Sequence, residues 1–182
     1  MGIITKDLVR PAAKSGLTLG LIGIILTLLI YFINAKLLAN IWVGVVILVV
    51  SLVLVVIFGI NYRKQVGGYL SFKHAFLFSL ILLLVAGLIG QSFNFILFNV
   101  IDSDLPEVVT DAALENTERM MEKFNVPDEE VDKALERTEA QMANQYKISG
   151  VVKAYLYSII IYAIISLITG AIIKRRNPEE TI

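Results

Sequence analysis

Four long apolar runs, separated by polar segments of very unequal length, set the pattern of this chain. The first extends from Gly16 to Ala35, the second from Leu37 to Tyr62, the third from Phe72 to Ile101 and the fourth from Val151 to Ile173. Each is about as long as the ~20 apolar residues that a helix needs to cross a bilayer. The second is rich in Val and Ile, which in water would favour a strand. In hydrocarbon a lone segment of this length has to satisfy its own backbone, and only a helix does so. At a helical rise of 1.5 Å per residue the third run would reach roughly 45 Å, beyond the hydrocarbon thickness, so it has to tilt, kink or protrude. Ser71 is placed to cap its start, and Gly67-Gly68 permits positive φ in a tight turn before it. Reading the first run as a cleaved signal peptide is weaker. A signal core spans only about 7–15 apolar residues, and Asn34-Ala35-Lys36 makes a poor cleavage site. The chain from Met1 is expected to persist.

Between the third and fourth runs the period changes. Pro106 falls where a first helical position belongs, with Asp104 or Leu105 as cap. A helix is expected to run to Phe124, with Lys123 in its last turn and Asn125 as a left-handed stop. Pro127-Asp128-Glu129-Glu130 opens a second helix, with acids at the positive end of its dipole. Its stripe Val131, Leu135, Thr138, Met142 and Tyr146 keeps helical spacing, and the first helix offers Val109, Ala113, Met120 and Phe124. Two amphipathic helices joined by a short turn predict an antiparallel hairpin. Gly150 marks a break before the last span. The expected fold is thus an all-α membrane protein, four transmembrane helices with an antiparallel helical hairpin inserted between spans three and four. It divides into residues 1–101 (spans one to three), 102–149 (the hairpin) and 150–182 (span four and a basic tail).

Composition agrees with this pattern. Hydrophobic residues make up 57% of the 182 and charged residues 18%, against about 45–50% and 25% in soluble domains. A chain this short cannot bury such an excess in a water-soluble core. The 16 basic and 16 acidic residues cancel, but they are not mixed. Asp102 to Lys147 carries 13 acids against 5 bases, a net charge of −8, and the rest of the chain carries +8. Positive charge gathers on the cytoplasmic side of membrane proteins. The segment Met1–Ser15, the Arg63–His74 loop and the Lys174-Arg175-Arg176 tail each hold three Lys or Arg, while the loop between spans one and two holds only Lys36. Both termini are therefore expected inside and the acidic hairpin outside. Tyr31, Phe32, Trp42, Phe95, Phe98, Tyr155 and Tyr157 would mark the outer boundary; Tyr62, Tyr69 and Phe72 would mark the inner one.

Candidate chemistry is sparse. There is no cysteine and one histidine, which excludes disulfides, thiol catalysis and Cys or multi-His metal centres built from this chain alone. The middles of the apolar runs lack the charged groups that proton relays and ion pathways use. Gln91 and Asn94, the main polar pair inside a span, are expected to make interhelical hydrogen bonds rather than bind a ligand. Small residues form faces suited to close helix packing or to a partner interface: Gly16, Gly20 and Gly23 on span one, Ala75, Ser79, Ala86 and Gly90 on span three, and Ser158, Ser166 and Gly170 on span four. Asp102-Ser103-Asp104 reads as a loop and helix cap. Asp128, Glu129, Glu130 and Asp132 lack calcium-loop spacing and suit the helix dipole. His74 has no partner that would make it a site. Met120, Met121, Phe124, Val131, Leu135, Met142 and Tyr146 form the expected contact surface of the hairpin. A hairpin of this size can hardly stabilise itself and needs the membrane surface, the bundle or a partner beneath it. No cofactor, metal or nucleic-acid partner is expected.

Two stretches carry a resemblance. Phe58-Gly59-Ile60-Asn61-Tyr62-Arg63-Lys64, followed by Gly67-Gly68 and Leu70-Ser71-Phe72-Lys73-His74-Ala75-Phe76, is one. Met121-Glu122-Lys123-Phe124-Asn125-Val126-Pro127-Asp128-Glu129-Glu130-Val131 is the other. Together they resemble a membrane family of Bacteroidota, domain-of-unknown-function family 4199, although Pro127 departs from its usual pattern. The resemblance implies a bacterial cytoplasmic-membrane protein with a periplasmic hairpin. It brings no activity and no catalytic residue. The expected function is a non-enzymatic membrane scaffold or accessory subunit. It would associate with itself or with another membrane protein, and its hairpin would contact a periplasmic partner. The alternative is a small oligomeric transporter or channel passing a neutral or amphipathic solute along Gln91 and Asn94.

Overall fold

A computed structural model describes residues 6–176. Among them are six α-helices: α1 (Lys6–Asn34), α2 (Ile41–Gln65), α3 (Phe72–Ile96), α4 (Leu105–Lys123), α5 (Asp128–Gln145) and α6 (Ile148–Ile173). A 3₁₀ turn, Ala35–Ala39, follows α1, and a π-helical turn, Leu97–Ile101, extends α3. The stretches Lys6–Ala39, Ile41–Gln65, Phe72–Ile101 and Ile148–Ile173 are long and apolar enough to cross a membrane. The chain is all-helical, as a membrane protein of this composition has to be.

Several boundaries shift from their expected places, each for a local reason. α1 begins at Lys6, before the apolar run, because the basic segment is itself helical. The second run does not open at Leu37. Asn40 caps α2 instead, its Oδ1 accepting the amides of Trp42 (2.9 Å) and Val43 (3.4 Å). The last five residues of span three, Leu97–Ile101, are wound as the π turn. Gly150 does not break the chain; the break lies at Tyr146–Lys147, and Gly150 sits in the first turn of α6. A Cβ there would collide with the Asn144 carbonyl at the end of α5.

The helices contribute to two compact units. The first comprises Met1–Gly23, Ile47–Gly90 and Tyr155–Ile182. Its core takes Leu8, Ala12 and Leu19 from α1, Val55 and Tyr62 from α2, Phe78 and Leu82 from α3, and Ile173 from α6. Glycines set how closely these helices approach. A Cβ at Gly59 would collide with Ile173, one at Gly87 with the Tyr162 hydroxyl, and one at Gly170 would press on the backbone of Phe76 at 3.1 Å.

One segment ties this unit together through backbone groups. Pro11, inside α1, has no N–H, so the Asp7 carbonyl loses its helical partner. The Tyr62 hydroxyl donates to that carbonyl at 3.2 Å, while the Tyr62 ring stacks on Phe78 at 4.6 Å. Next in sequence, Arg63 donates to the Ile173 carbonyl at 2.7 Å, a cation on the negative end of α6. Leu70 pairs with Arg175 in an isolated antiparallel bridge, with two backbone hydrogen bonds of 2.9 Å. Gly67 (φ 97°) and Gly68 (φ 85°) make the turn that delivers Leu70 to this position. Ser71 then starts α3. Its hydroxyl lies 2.7 Å from His74 Nδ1 and accepts the His74 amide at 3.4 Å.

The second unit comprises Ile24–Val46 and Gln91–Ala154. Asp102 organises it. One carboxylate oxygen accepts from the amides of Asp104 (3.2 Å) and Leu105 (3.1 Å), and the other from the Tyr31 hydroxyl at 2.8 Å. Asp104 occupies the N-cap position, as expected, but makes no side-chain cap bond; the Asp102 carboxylate caps the first amides in its place. α4 ends as expected. Asn125 is left-handed (φ 51°), and the Asn125 and Val126 amides return to the carbonyls of Glu122 and Met121, the pairing of a Schellman stop. α4 contacts both α5 and the 3₁₀ turn. Leu97, Leu105, Val109 and Met142 form the buried cluster, with Leu38, Ala39, Phe98 and Tyr146 packed against it.

The Pro11–Tyr62 pairing gives a quantitative expectation. Tyr62→Phe should keep the ring stack and lower stability by about 1 kcal/mol, the usual net value of such a bond. In a Pro11→Ala background, where residue 11 supplies its own N–H to Asp7, the same change should cost much less. A double-mutant cycle by equilibrium unfolding in mixed micelles reads the coupling; an equal cost in both backgrounds would contradict it.

Candidate functional site

The side chains singled out in the sequence fall into three places. The first is helix packing within the first unit. Gly16 lies against the Leu82 carbonyl and Val85, and Gly20 against Ile89, so α1 and α3 meet at these glycines. Ala75, Ser79 and Ser166 are fully buried, Gly170 is buried against Phe76, and Ala86 packs on the same core. Among the described residues the buried hydroxyls of Ser79 and Ser166 have no hydrogen-bond partner, and both side chains are small enough to fit between packed helices. Gly23 and Gly90 are different: a Cβ at either would meet nothing among the described residues.

The second place is a half-open cavity of about 370 Å³ wholly within the second unit. Gln91 and Asn94 line it, together with Phe95, Phe98, Met142 and Tyr146 among others. Among the described residues neither amide makes the interhelical hydrogen bond expected of it; both side chains border open space. Leu97–Ile101 is wound as a π turn, and Asn99 rather than Asn94 reaches across, its Nδ2 donating to the carbonyls of Phe95 (2.9 Å) and Tyr146 (3.2 Å). Phe98 and Tyr146 stack at 4.7 Å as one wall. The Tyr146 hydroxyl is buried and completes no hydrogen bond of good geometry. Burial raises its pKa above the ordinary phenol value, outweighing the downward pull of neighbouring Gln145 and Thr110. Among the described residues no charged side chain lines this cavity.

The third place is the pair α4 and α5. The α5 stripe faces inward as its spacing implies: Met142 is buried, and Val131, Leu135, Thr138 and Tyr146 are half-buried. On α4 the seam follows Leu105, Val109 and Ala112 near its start. It does not continue to the far end. Met120 is 52% exposed and Phe124 76%, with Met121 half-buried beside them. Glu118, Glu122, Asp128, Glu129 and Glu130 lie nearby in sequence and are exposed. Lys133 pairs with Glu129 at 2.6 Å and Arg119 with Glu115, both as one-turn helical pairs on the surface.

Sequence reasoning missed Gly59, Gly87 and the Pro11–Tyr62 and Tyr31–Asp102 pairs. It also gave no place to Lys153, at the start of the fourth apolar run, which stands exposed in the second turn of α6. Among the described residues no group of three or more His, Asp or Glu is placed to hold a metal ion.

The family model described as "Protein of unknown function (DUF4199)" matches residues 14–175. The chain belongs to that family. No curated protein and no solved structure matches it.

Proposed function

We propose that this DUF4199 protein is a non-enzymatic membrane scaffold or accessory subunit of the bacterial cytoplasmic membrane. In this reading both termini are cytoplasmic, and α4 and α5 form an antiparallel hairpin on the periplasmic side. The exposed end of α4 carries the proposal. The start of α4 is anchored on the protein's own Leu38, Ala39 and Leu97, so this helix needs no partner to hold its root. Its far end nonetheless presents Phe124 and Met120 to solvent, within a segment of net charge −8. An aromatic residue 76% exposed, set among carboxylates, suits a protein surface with an apolar hollow and a basic rim; aromatic and Met anchors are enriched in interface cores. It suits an anionic lipid surface poorly, because the acids would be repelled.

Purification in mild detergent should yield the protein with a stoichiometric protein partner. Met120→Ser with Phe124→Ser should lower the recovered partner by about tenfold, equal to roughly 1.4 kcal/mol of contact, without moving the melting temperature. A clean monomer from the wild type, or full retention by the variant, would defeat the reading.

The cavity at Gln91 and Asn94 favours a second reading, a small oligomeric transporter or channel for a neutral or amphipathic solute. Its walls mix amides with aromatic and aliphatic groups, as small-molecule sites do, and its volume lies in their range of about 300–1,000 Å³. Cysteines placed at 91 and 94 should then react with water-soluble thiol reagents in membranes. Protection of both would remove this reading.

A further inference from the structure

The first unit holds another opening, a cleft of about 570 Å³ between the start of α1 and the end of α2. Its charged lining is Arg10 and Lys14, four residues apart and therefore on one face of α1. Among the described residues no carboxylate lines it. Both cations are exposed, and among the described residues neither pairs with an acid. Ser15 on α1 and Asn61 and Gln65 on α2 add uncharged polar groups. No side-chain hydrogen bond of these three is found among the described residues. Arg63 and Lys64 are close in sequence but do not line the cleft, and Arg63 is committed to the Ile173 carbonyl at 2.7 Å.

The remaining walls are apolar. Pro11, Phe58 and Tyr62 line the cleft, and Tyr62 is fixed there by its bond to the Asp7 carbonyl. Along the α1 face that carries Lys14, the following turns show Leu17 and Leu21, 51% and 57% exposed. A double cation with neutral hydrogen-bonding groups around it fits an oxyanion, and Arg and Lys are the usual phosphate ligands. An apolar wall and an exposed aliphatic stripe leading from the cleft fit a glycerol backbone and an acyl chain. Basic pockets between spanning helices bind anionic lipid headgroups in this manner.

We infer that Arg10 and Lys14, backed by Ser15, Asn61 and Gln65, hold the phosphate of an anionic glycerophospholipid in the α1–α2 cleft. The site is independent of the α4 end and of the Gln91/Asn94 cavity. The family match begins at residue 14, so it covers Lys14 but not Arg10.

Native mass spectrometry of the full chain in a neutral detergent tests this, with dioleoyl phosphatidylglycerol, dioleoyl phosphatidylcholine and inorganic phosphate as probes. Phosphatidylglycerol should bind in preference to phosphatidylcholine by about thirtyfold, given ~1 kcal/mol for each basic residue near a lipid phosphate. Arg10→Gln with Lys14→Gln should abolish that preference, while Lys64→Gln with Lys174→Gln, which removes the same charge elsewhere, should leave it intact. Arg10→Lys with Lys14→Arg keeps the charge and should keep the preference, so loss of binding through misfolding is recognisable. Ser15→Phe, which fills the cleft, should lower phosphatidylglycerol binding with all charges in place. An equal loss in the Lys64/Lys174 variant, or full binding by Ser15→Phe, would overturn the site. Displacement of the lipid by millimolar inorganic phosphate would assign the cleft to a free anion and overturn its assignment to a lipid.

Discussion

A backbone carbonyl or amide packed against protein has to be paired, because one left without a partner keeps the full cost of its lost hydration. Much of this protein follows from where helices leave such groups free. Pro11 strands the Asp7 carbonyl, and Tyr62 takes it up. The end of α6 leaves the Ile173 carbonyl free, and Arg63 takes it up. Beyond α6 the chain pairs Arg175 with Leu70 through both backbone groups. All of these partners come from one short stretch, residues 59–75, in which Gly59 admits Ile173 and the Gly67-Gly68 turn redirects the chain. One of the two stretches that carry the family resemblance coincides with it, and its residues there have structural duties rather than reactive ones. Tyr62 is both a hydrogen-bond donor and a wall of the basic cleft, so packing and the proposed lipid site share a residue.

The second unit solves the same problem with acids and amides. Asp102 satisfies two amides and the Tyr31 hydroxyl together, while Asn34 and Asn40 cap the segments that follow them. Two helices of this length would not hold on their own. With Leu105, Val109 and Met142 packed on Leu97, Leu38 and Ala39, they form one end of a larger cluster. That leaves the opposite end of α4 free to carry exposed apolar side chains without loss of the fold. The scaffold reading depends on this division between an anchored root and a presented tip.

What could be read from sequence were the features encoded within one helix or one turn. Four apolar runs gave the spans, because length and the absence of charge determine them. Asn125 and Pro127 gave the stop of α4 and the start of α5, because a left-handed residue and a fixed φ act locally. The α5 stripe was legible from its period. Pairs separated by 55, 110 and 71 positions, Tyr62–Asp7, Arg63–Ile173 and Tyr31–Asp102, leave no mark in a local pattern. Gly59 was hidden for the same reason: its duty is set by Ile173. Gln91 and Asn94 stood out as polar residues inside a span, but that they border a cavity instead of bonding to a neighbour depends on how the helices around them pack, which no local pattern records. The basic cleft was legible in part. Arg10 and Lys14 counted as topogenic charge, and their meeting with Asn61 and Gln65 required the pairing of α1 with α2.

The zero net charge of the chain is the sum of −8 over Asp102–Lys147 and +8 elsewhere. If the membrane separates these two fields, the acidic segment faces a periplasmic partner and the basic cleft faces the anionic inner leaflet. Both functional proposals need this sidedness. The chain has no cysteine, so single cysteines can be placed at Lys133 and at Lys64 without background. In intact cells with a permeabilised outer membrane, a membrane-impermeant maleimide should label position 133 at once and position 64 only after lysis. Labelling of position 64 in intact cells with protection of position 133 would contradict the sidedness on which both proposals stand.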